Sequence, residues 1–452
     1  MANSDTIVAP ATPPGESALA LVRISGPLAA ALAAAWHGGS PPPPRFAWHA
    51  DYRDRHGAVL DDVIFTLFAR PQSYTGEDVL EISLHGNPFI LRRLLEDLLA
   101  RGCRLAEPGE FTRRAFLNGR LDLTAAEAVM DVIRARSERA LQAAQQQLRG
   151  SLGRRIDELV TNLLSCCAAI EAHIDFPEDD LPIEDRTRRR DEIAALRAAI
   201  SRLQATRRHG ELLRQGLRVV LLGAPNAGKS SLLNRLAGYE RAIVSVEPGT
   251  TRDFLEEPLS LGPHCIRIID TAGLRTATAA VERAGVERSL EQAREADLVV
   301  LVVDAGAPCP TLPAEILAAL TPGRALIAVN KCDQPERQFR WSAETALPLV
   351  EVSALTGAGC HALQARLIEL ADALTGIGAD EERLTVNARH AAALAEADSA
   401  LDHADQLLAT QGPLELVGSE LRTAVAALGA IVGRIDHEQI LDRLFASFCI
   451  GK

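Results

Sequence analysis

The sequence predicts a multidomain protein of α/β and all-α class: an N-terminal α+β domain, a discontinuous helical domain, and an inserted domain built on a parallel sheet. Three observations predict this. At 452 residues the chain is too long for one core, and its length suggests about three domains. The periodicity changes character along the chain: β-type runs mixed with helices over 1–120, helical periodicity over 121–215, strand–loop–helix alternation over 216–375, and helical periodicity again over 376–452. Each flanking helical stretch alone would leave an apolar face uncovered. The simplest arrangement packs the two together and makes the α/β segment an insertion.

Taken in order, residues 18–24, 63–69 and 79–85 read as strands, and 28–36 and 88–101 as helices, with a proline-rich loop at 41–44. From 121 to 213 the chain is rich in Ala, Leu, Arg and Glu. Asp175-Phe176-Pro177 and Leu181-Pro182 split that stretch into long helices. Buried-strand runs at 218–222, 265–269, 297–303, 325–329 and 349–352 are each followed by a turn and a helical pattern, the signature of a parallel sheet. A short linker at 376–382 returns the chain to helix.

Apolar residues make up 47% and charged residues 24% of the chain, as in soluble globular proteins. No apolar run approaches the ~18–20 residues that span a bilayer, and Met1-Ala2-Asn3-Ser4-Asp5 lacks a secretory signature; the expectation is a cytoplasmic protein. Eight cysteines without a C-x-x-C pair read as free thiols in a reducing compartment. A net charge of −12 gives no bulk basic field, so any RNA contact must come from a local patch or a partner subunit. Of 48 basic residues only Lys229, Lys331 and Lys452 are lysines. Where arginine has replaced lysine almost everywhere, a retained lysine points to a specific demand for a compact charge on a slim stem.

Two of those lysines fall in motifs. Gly223-Ala224-Pro225-Asn226-Ala227-Gly228-Lys229-Ser230 follows a strand and, from Ser231, opens a helix: G-x-x-x-x-G-K-S in its required context. Backbone N–H groups there wrap phosphates at a helix N-terminus, Lys229 reaches the β- and γ-phosphates, and Ser230 ligates Mg²⁺. Asp270-Thr271-Ala272-Gly273 follows the next strand; Asp270 suits the magnesium shell and the Gly273 N–H the γ-phosphate. In Asn330-Lys331-Cys332-Asp333, Asp333 accepts from the guanine N1–H and amino group, a donor pair that adenine lacks, while Lys331 lays its stem across the base. Ser353-Ala354-Leu355 offers an Ala354 N–H to guanine O6. Four motifs in this order specify GTP. In Gly249-Thr250-Thr251-Arg252-Asp253, Thr251 is the natural switch threonine, closing on Mg²⁺ when the γ-phosphate is present. Leu274 stands where Ras-like enzymes place a water-orienting glutamine, so another residue must do that work. Arg252 and Arg275 flank the site and are assigned no catalysis.

Over nearly its whole length the chain resembles the tRNA-modifying GTPase family MnmE, also called TrmE, of the TrmE-Era-EngA-EngB-Septin-like, translation-factor-class GTPase superfamily. The residues that carry the resemblance are Asp5-Thr6-Ile7-Val8-Ala9, Gly109-Glu110-Phe111-Thr112, Arg114-Ala115-Phe116-Leu117-Asn118, Leu121-Asp122-Leu123, the nucleotide motifs, and the ending Phe448-Cys449-Ile450-Gly451-Lys452. It implies a potassium-activated GTPase in which Asn226 ligates K⁺ with oxygens of the loop Ser245-Val246-Glu247-Pro248-Gly249-Thr250, notably Ser245, Glu247 and Thr250. It also implies that Glu282, otherwise a solvated helix-face acid, positions water through a relay. The N-terminal domain would bind a reduced folate (5,10-methylene- or 5-formyl-tetrahydrofolate) through Arg23, Glu81, Arg120 and Lys452. A carboxylate suits the pterin donors and arginine the glutamyl tail. One departure stands in the usual glycine-rich loop: Pro13-Pro14-Gly15 is followed by Glu16-Ser17-Ala18-Leu19-Ala20, which changes the pocket rim. Cys449, beside Lys452, is assigned to the modification reaction; the other seven cysteines read as packing.

The resemblance further implies a homodimer that joins a FAD-containing partner of MnmG/GidA type in a heterotetramer. That assembly would add a carboxymethylaminomethyl or aminomethyl group to the wobble uridine of certain tRNAs, with no membrane role. Two rivals are a regulatory RNA- or ribosome-associated assembly GTPase, which needs no folate pocket, and a free-standing one-carbon transferase, which needs no flavoprotein.

Overall fold

The structure is a computed structural model that describes residues 5–175, 186–238, 258–270, 291–310, 312–340, 347–375, 384–434, 444–446, 448, 449 and 451. The chain divides into two compact units. One comprises Met1–Met130, Gln147–Arg197 and Ala393–Lys452, the other Asp131–Gln146 and Ala198–Ala392. Among the described residues no helix is long and apolar enough to cross a membrane.

The first unit contains a sheet of β1 (Thr6–Pro10), β2 (Ser17–Ser25), β3 (Ala47–Arg53), β4 (Val59–Phe68), β5 (Val79–Gly86) and β6 (Cys103–Leu105), in the order β3-β4-β5-β2-β1-β6. Only β1 and β6 pair in parallel. Helices α1 (Ala29–Trp36) and α2 (Pro88–Ala100) bury one face: Val22, Ile24, Phe65, Leu80 and Ile82 form one core with Leu32, Leu94 and Leu98. The period of two then sends Ala9, Arg23, Glu81 and Thr66, which are cross-strand partners, to the opposite face. The expected strands and helices are present with ends shifted by a few residues. Three further strands carry too weak a period to be read. The five-residue β1 is buried on both faces, β6 has three residues, and β3 buries only Trp48 and Tyr52, four apart.

Beyond the sheet, α3 (Glu110–Leu117) is pinned by Arg114, which is 1% exposed and bonds the carboxylates of Asp5 (2.9 Å), Glu77 (3.1 Å) and Glu110 (3.0 Å). Asp122 caps α4 (Leu123–Arg134), accepting from the Ala125 N–H at 2.7 Å. The helical region joins chain from both sides of the insertion, as the sequence predicts. Leu152, Ile156, Leu159, Leu163 and Ile170 of α6 (Ser151–Asp175) lie on one stripe. That helix packs along α13 (Leu414–Val432), which buries Val417, Leu421, Leu428 and Ile431. Arg190–Asp405 (2.7 Å) and Arg197–Asp398 (2.9 Å) tie α7 (Arg186–Ala205) to α12 (Ala388–Ala409). Helix α6 is described to Asp175, and Phe176, Pro177, Leu181 and Pro182 of the expected break lie outside the described residues.

The second unit holds β7 (Leu217–Leu222), β8 (Pro258–Leu261), β9 (His264–Asp270), β10 (Leu298–Asp304), β11 (Ala325–Asn330) and β12 (Leu349–Glu351), in the order β12-β11-β10-β7-β9-β8. The sheet is mixed: the five strands expected from the sequence run parallel, and a sixth, β8, pairs antiparallel with β9 through a tight turn at 262–263. At four residues that edge strand is too short to give a periodic signal. Both faces are covered, which is why the central strands read as continuous apolar runs. One face packs on α9 (Lys229–Gly238) and α11 (Cys360–Leu374), and the other on α10 (Ala314–Ala319). The order reverses between β7 and β10, so a crevice opens beyond their carboxyl ends.

Candidate functional site

Three loops converge on that crevice: the one after β7, Asn330–Asp333 after β11, and Ser353–Leu355 after β12. They surround a cavity of about 710 Å³ whose lining includes Gly228, Asn330, Lys331, Asp333, Ala354 and Leu355. Asn330 links them: its Nδ2 donates to the Ala227 carbonyl at 2.9 Å and its Oδ1 accepts from the Ala354 N–H at 3.0 Å. The approach is so close that a Cβ at Gly228 would lie 2.1 Å from that Nδ2, so only glycine fits. Asn226 and Lys331 both sit at a φ of 64°, strained conformations that neighbouring bonds hold. The Lys331 Nζ donates to Asp304 Oδ2 at 2.6 Å. Burial tends to raise the Asp304 pKa, but that bond and the Gly306 N–H outweigh it and hold the carboxyl below its usual range. Lys229 donates to the Gly223 and Ala224 carbonyls at 2.7 and 3.0 Å.

A second cluster lies on the open sheet face of the first unit. Arg23 meets Glu81 Oε1 through Nε (2.9 Å) and NH2 (2.8 Å), leaving Oε2 without a partner among the described residues. Arg23 also donates through NH1 to the Gly451 carbonyl at 3.3 Å, and its guanidinium stands over the rings of Tyr74 (5.4 Å) and Phe111 (5.9 Å). Burial pushes the Tyr74 hydroxyl pKa up. The C-terminal tail is therefore docked here. The Gly109 N–H donates to the Cys449 carbonyl at 3.4 Å, and Phe445 and Phe448 pack with Leu123, Ala126 and Met130. Gly451, at a φ of 96°, lies so near β1 that a Cβ would stand 2.3 Å from the Pro10 carbonyl. Cys449 is exposed, and Arg120 lays its stem over Gly76, two residues from Tyr74.

Comparison with known proteins places the chain in a family. The model of the "GTP-binding protein TrmE N-terminus" family matches residues 6–120, and that of the "MnmE helical domain" matches residues 123–449. A protein of Opitutus terrae called "tRNA modification GTPase MnmE" is 51% identical over 449 residues, covering 99% of each chain. The chain belongs to the MnmE family. Proteins of the same name from Chlorobium chlorochromatii (41% identical, covering 99% of this chain and 98% of that one) and Halorhodospira halophila (42%, covering 100% and 96%) are further relatives.

Against this MnmE framework the sequence-based residues fall into three groups. Asn226, Ala227, Gly228, Lys229, Ser230 and Ser231 lie in the loop after β7 and the first turn of α9; with Asn330, Lys331, Asp333, Ser353 and Ala354 they occupy the loops that meet at the crevice. Arg23, Glu81 and Cys449 belong to the sheet-face cluster. Ser245, Val246, Glu247, Pro248, Gly249, Thr250, Thr251, Thr271, Ala272, Gly273, Glu282 and Lys452 lie outside the described residues, as do Arg252, Leu274, Arg275 and the Asp270 side chain. The sequence reading missed Asp304, whose only signal is an acid closing a wholly apolar strand. Packing accounts for the buried Cys103, Cys166, Cys167, Cys265 and Cys360, but Cys309 is exposed and Cys332 half-exposed.

Proposed function

We propose that this chain hydrolyses GTP in the modification of the wobble uridine of certain tRNAs. It adds a carboxymethylaminomethyl or aminomethyl group using a one-carbon unit from a reduced folate. The observation that carries the GTP half is the cavity in which Asn330 joins the phosphate-loop carbonyl of Ala227 to the base loop at Ala354, with Asp333 on its wall. The residues suit the groups they would hold. Asp333 accepts from guanine, Ser230 lies exposed at the start of α9 for Mg²⁺, and Asn226 lies exposed on the loop edge for K⁺. Those cations supply positive charge around the phosphates. Lys229, now resting on two loop carbonyls, exchanges them for phosphate oxygens, and Glu282 orients water.

On the sheet face, Glu81 keeps Oε2 for a pterin donor, while Arg23 holds that carboxylate in place and carries the tail bearing Cys449. Arg120 and Lys452 supply charge for a glutamyl tail. The corresponding domains are 1–120 (folate-binding and dimerising), 121–215 and 376–452 (helical), and 216–375 (the inserted G domain). A second copy and a FAD-containing subunit complete the assembly, in the cytoplasm. The test is nucleoside mass spectrometry of tRNA from cells lacking this family, with the chain and its own flavoprotein supplied. Return of the modified uridine supports the reading, and Glu282→Ala and Cys449→Ser should each abolish it. A folded, GTP-hydrolysing chain that leaves the uridine bare overturns it in favour of an assembly GTPase.

A further inference from the structure

Base recognition in the second unit has a component outside the nucleotide motifs. Arg235 lies on α9, six residues past Lys229, and also lines the cavity. Its Nε donates to the Ala354 carbonyl at 3.1 Å, and its NH2 donates to the Leu355 carbonyl. Two consecutive carbonyls of the base loop are thus turned toward one guanidinium fork, a geometry that lysine's point charge cannot reproduce.

That fork decides where the loop's N–H groups point. In a trans peptide the C=O and the following N–H lie on opposite sides of the unit. Fixing the Ala354 carbonyl on Arg235 therefore turns the Leu355 N–H away from it. The neighbouring donors are engaged: the Ala354 N–H bonds Asn330 Oδ1 at 3.0 Å, and the Thr356 N–H bonds Ser353 Oγ at 3.1 Å. Among the described residues the Leu355 N–H has no acceptor, and Leu355 lines the cavity and is 77% exposed. An N–H held without a protein partner in a residue of the cavity lining is a donor open to a ligand carbonyl.

We propose that Arg235 is a positioning residue for guanine selection. It locks the Ala354–Leu355 peptide so that the Leu355 N–H meets the purine O6, in place of the Ala354 N–H that the sequence assigned to it and that Asn330 engages. This rests on the guanine-nucleotide reading of the cavity and deepens it. Arg235 acts on the base through the loop, so its removal should act on one atom of the base.

The test measures binding of GDP, inosine diphosphate and 2-aminopurine riboside diphosphate to the full-length chain and to Arg235→Met and Arg235→Lys. Inosine keeps O6 and the N1–H and lacks the amino group; 2-aminopurine keeps the amino group and lacks both O6 and the N1–H, so each variant is compared with the unaltered chain for the same nucleotide. Arg235→Met should weaken GDP and inosine diphosphate equally, by about tenfold for one hydrogen bond, while leaving 2-aminopurine riboside diphosphate unchanged. The unchanged ligand also reports that the variant is folded. Arg235→Lys, keeping one donor, should fall between. Equal weakening of all three nucleotides would make Arg235 a general strut and overturn the proposal, as would no weakening of any. If the unaltered chain binds no GDP, the guanine reading of the cavity fails and the proposal falls with it.

Discussion

Asp333 shows what a single side chain contributes once its loop is in place. The loop is fixed by Asn330, buried and bonded on both sides, and by Lys331, drawn onto Asp304. Asp333 itself lies on the cavity wall, where a carboxylate offers two acceptors to the two donors of guanine. Asp333→Asn replaces one acceptor by a donor. Guanine would then face a repelled hydrogen and lose a charge-assisted bond, so GDP affinity should fall by about 100-fold, whereas xanthosine diphosphate, which presents a carbonyl at that position, should gain. Titration calorimetry with the two nucleotides checks the inversion; equal loss of both would mean that Asp333 does not face the base.

Two elements are held by contacts that leave no room for ordinary side chains or charges. The C-terminal tail reaches β1 only because Gly451 has no Cβ to collide with the Pro10 carbonyl. Gly451→Val should release it, removing the Gly451 acceptor from Arg23. Carboxypeptidase should then trim the C-terminus faster and tRNA modification should fall, while GTP hydrolysis, whose residues lie in the other unit, should be unchanged. The turn between β8 and β9 is anchored by His264, whose side chain is buried, with Nε2 2.7 Å from Asp372 Oδ1 and Arg139 on the same carboxylate. Burial depresses the His264 pKa, Arg139 adds to the depression, and the bond to Asp372 only partly opposes it. The folded state thus holds a neutral ring, whereas an unfolded chain protonates it below about pH 6.5. The contribution of His264 is therefore complete above that pH and is lost as the pH falls through 6.5 toward the lower folded value. The thermal midpoint of the second unit should drop between pH 7.5 and 5.5, and His264→Gln should flatten that slope; an unaltered slope would show that other groups carry it.

At the scale of the whole molecule, each unit has its own sheet and its own apolar cores. The nucleotide cavity belongs entirely to one of them. A ligand that binds only the folded form of that unit stabilises that unit, by about 2.7 kcal/mol at a hundred times its dissociation constant. Calorimetric unfolding should accordingly show two transitions, of which GDP raises one. A single transition that moves as a whole would mean that the units unfold together.

The sequence by itself determined the fold class, most of the strands, and the guanine-nucleotide character of the inserted α/β segment. Those signals are local: apolar runs, turn residues, and motifs whose spacing binds phosphate and base regardless of the rest of the chain. Even the joining of the two helical stretches was legible, because each amphipathic stripe had to find a partner. The signature segments around Glu110, Arg114 and Asp122 were visible as text only. Their physical content is a buried arginine shared by Asp5, Glu77 and Glu110, and a helix cap, contacts made across up to 109 residues. Tertiary structure alone decided that Arg23 meets Gly451 across 428 residues, that Lys331 is paired with Asp304, that Arg235 grips the base loop, and that the inserted sheet is mixed. Each depends on which distant backbone atoms arrive beside a side chain, and no periodicity in the sequence encodes that.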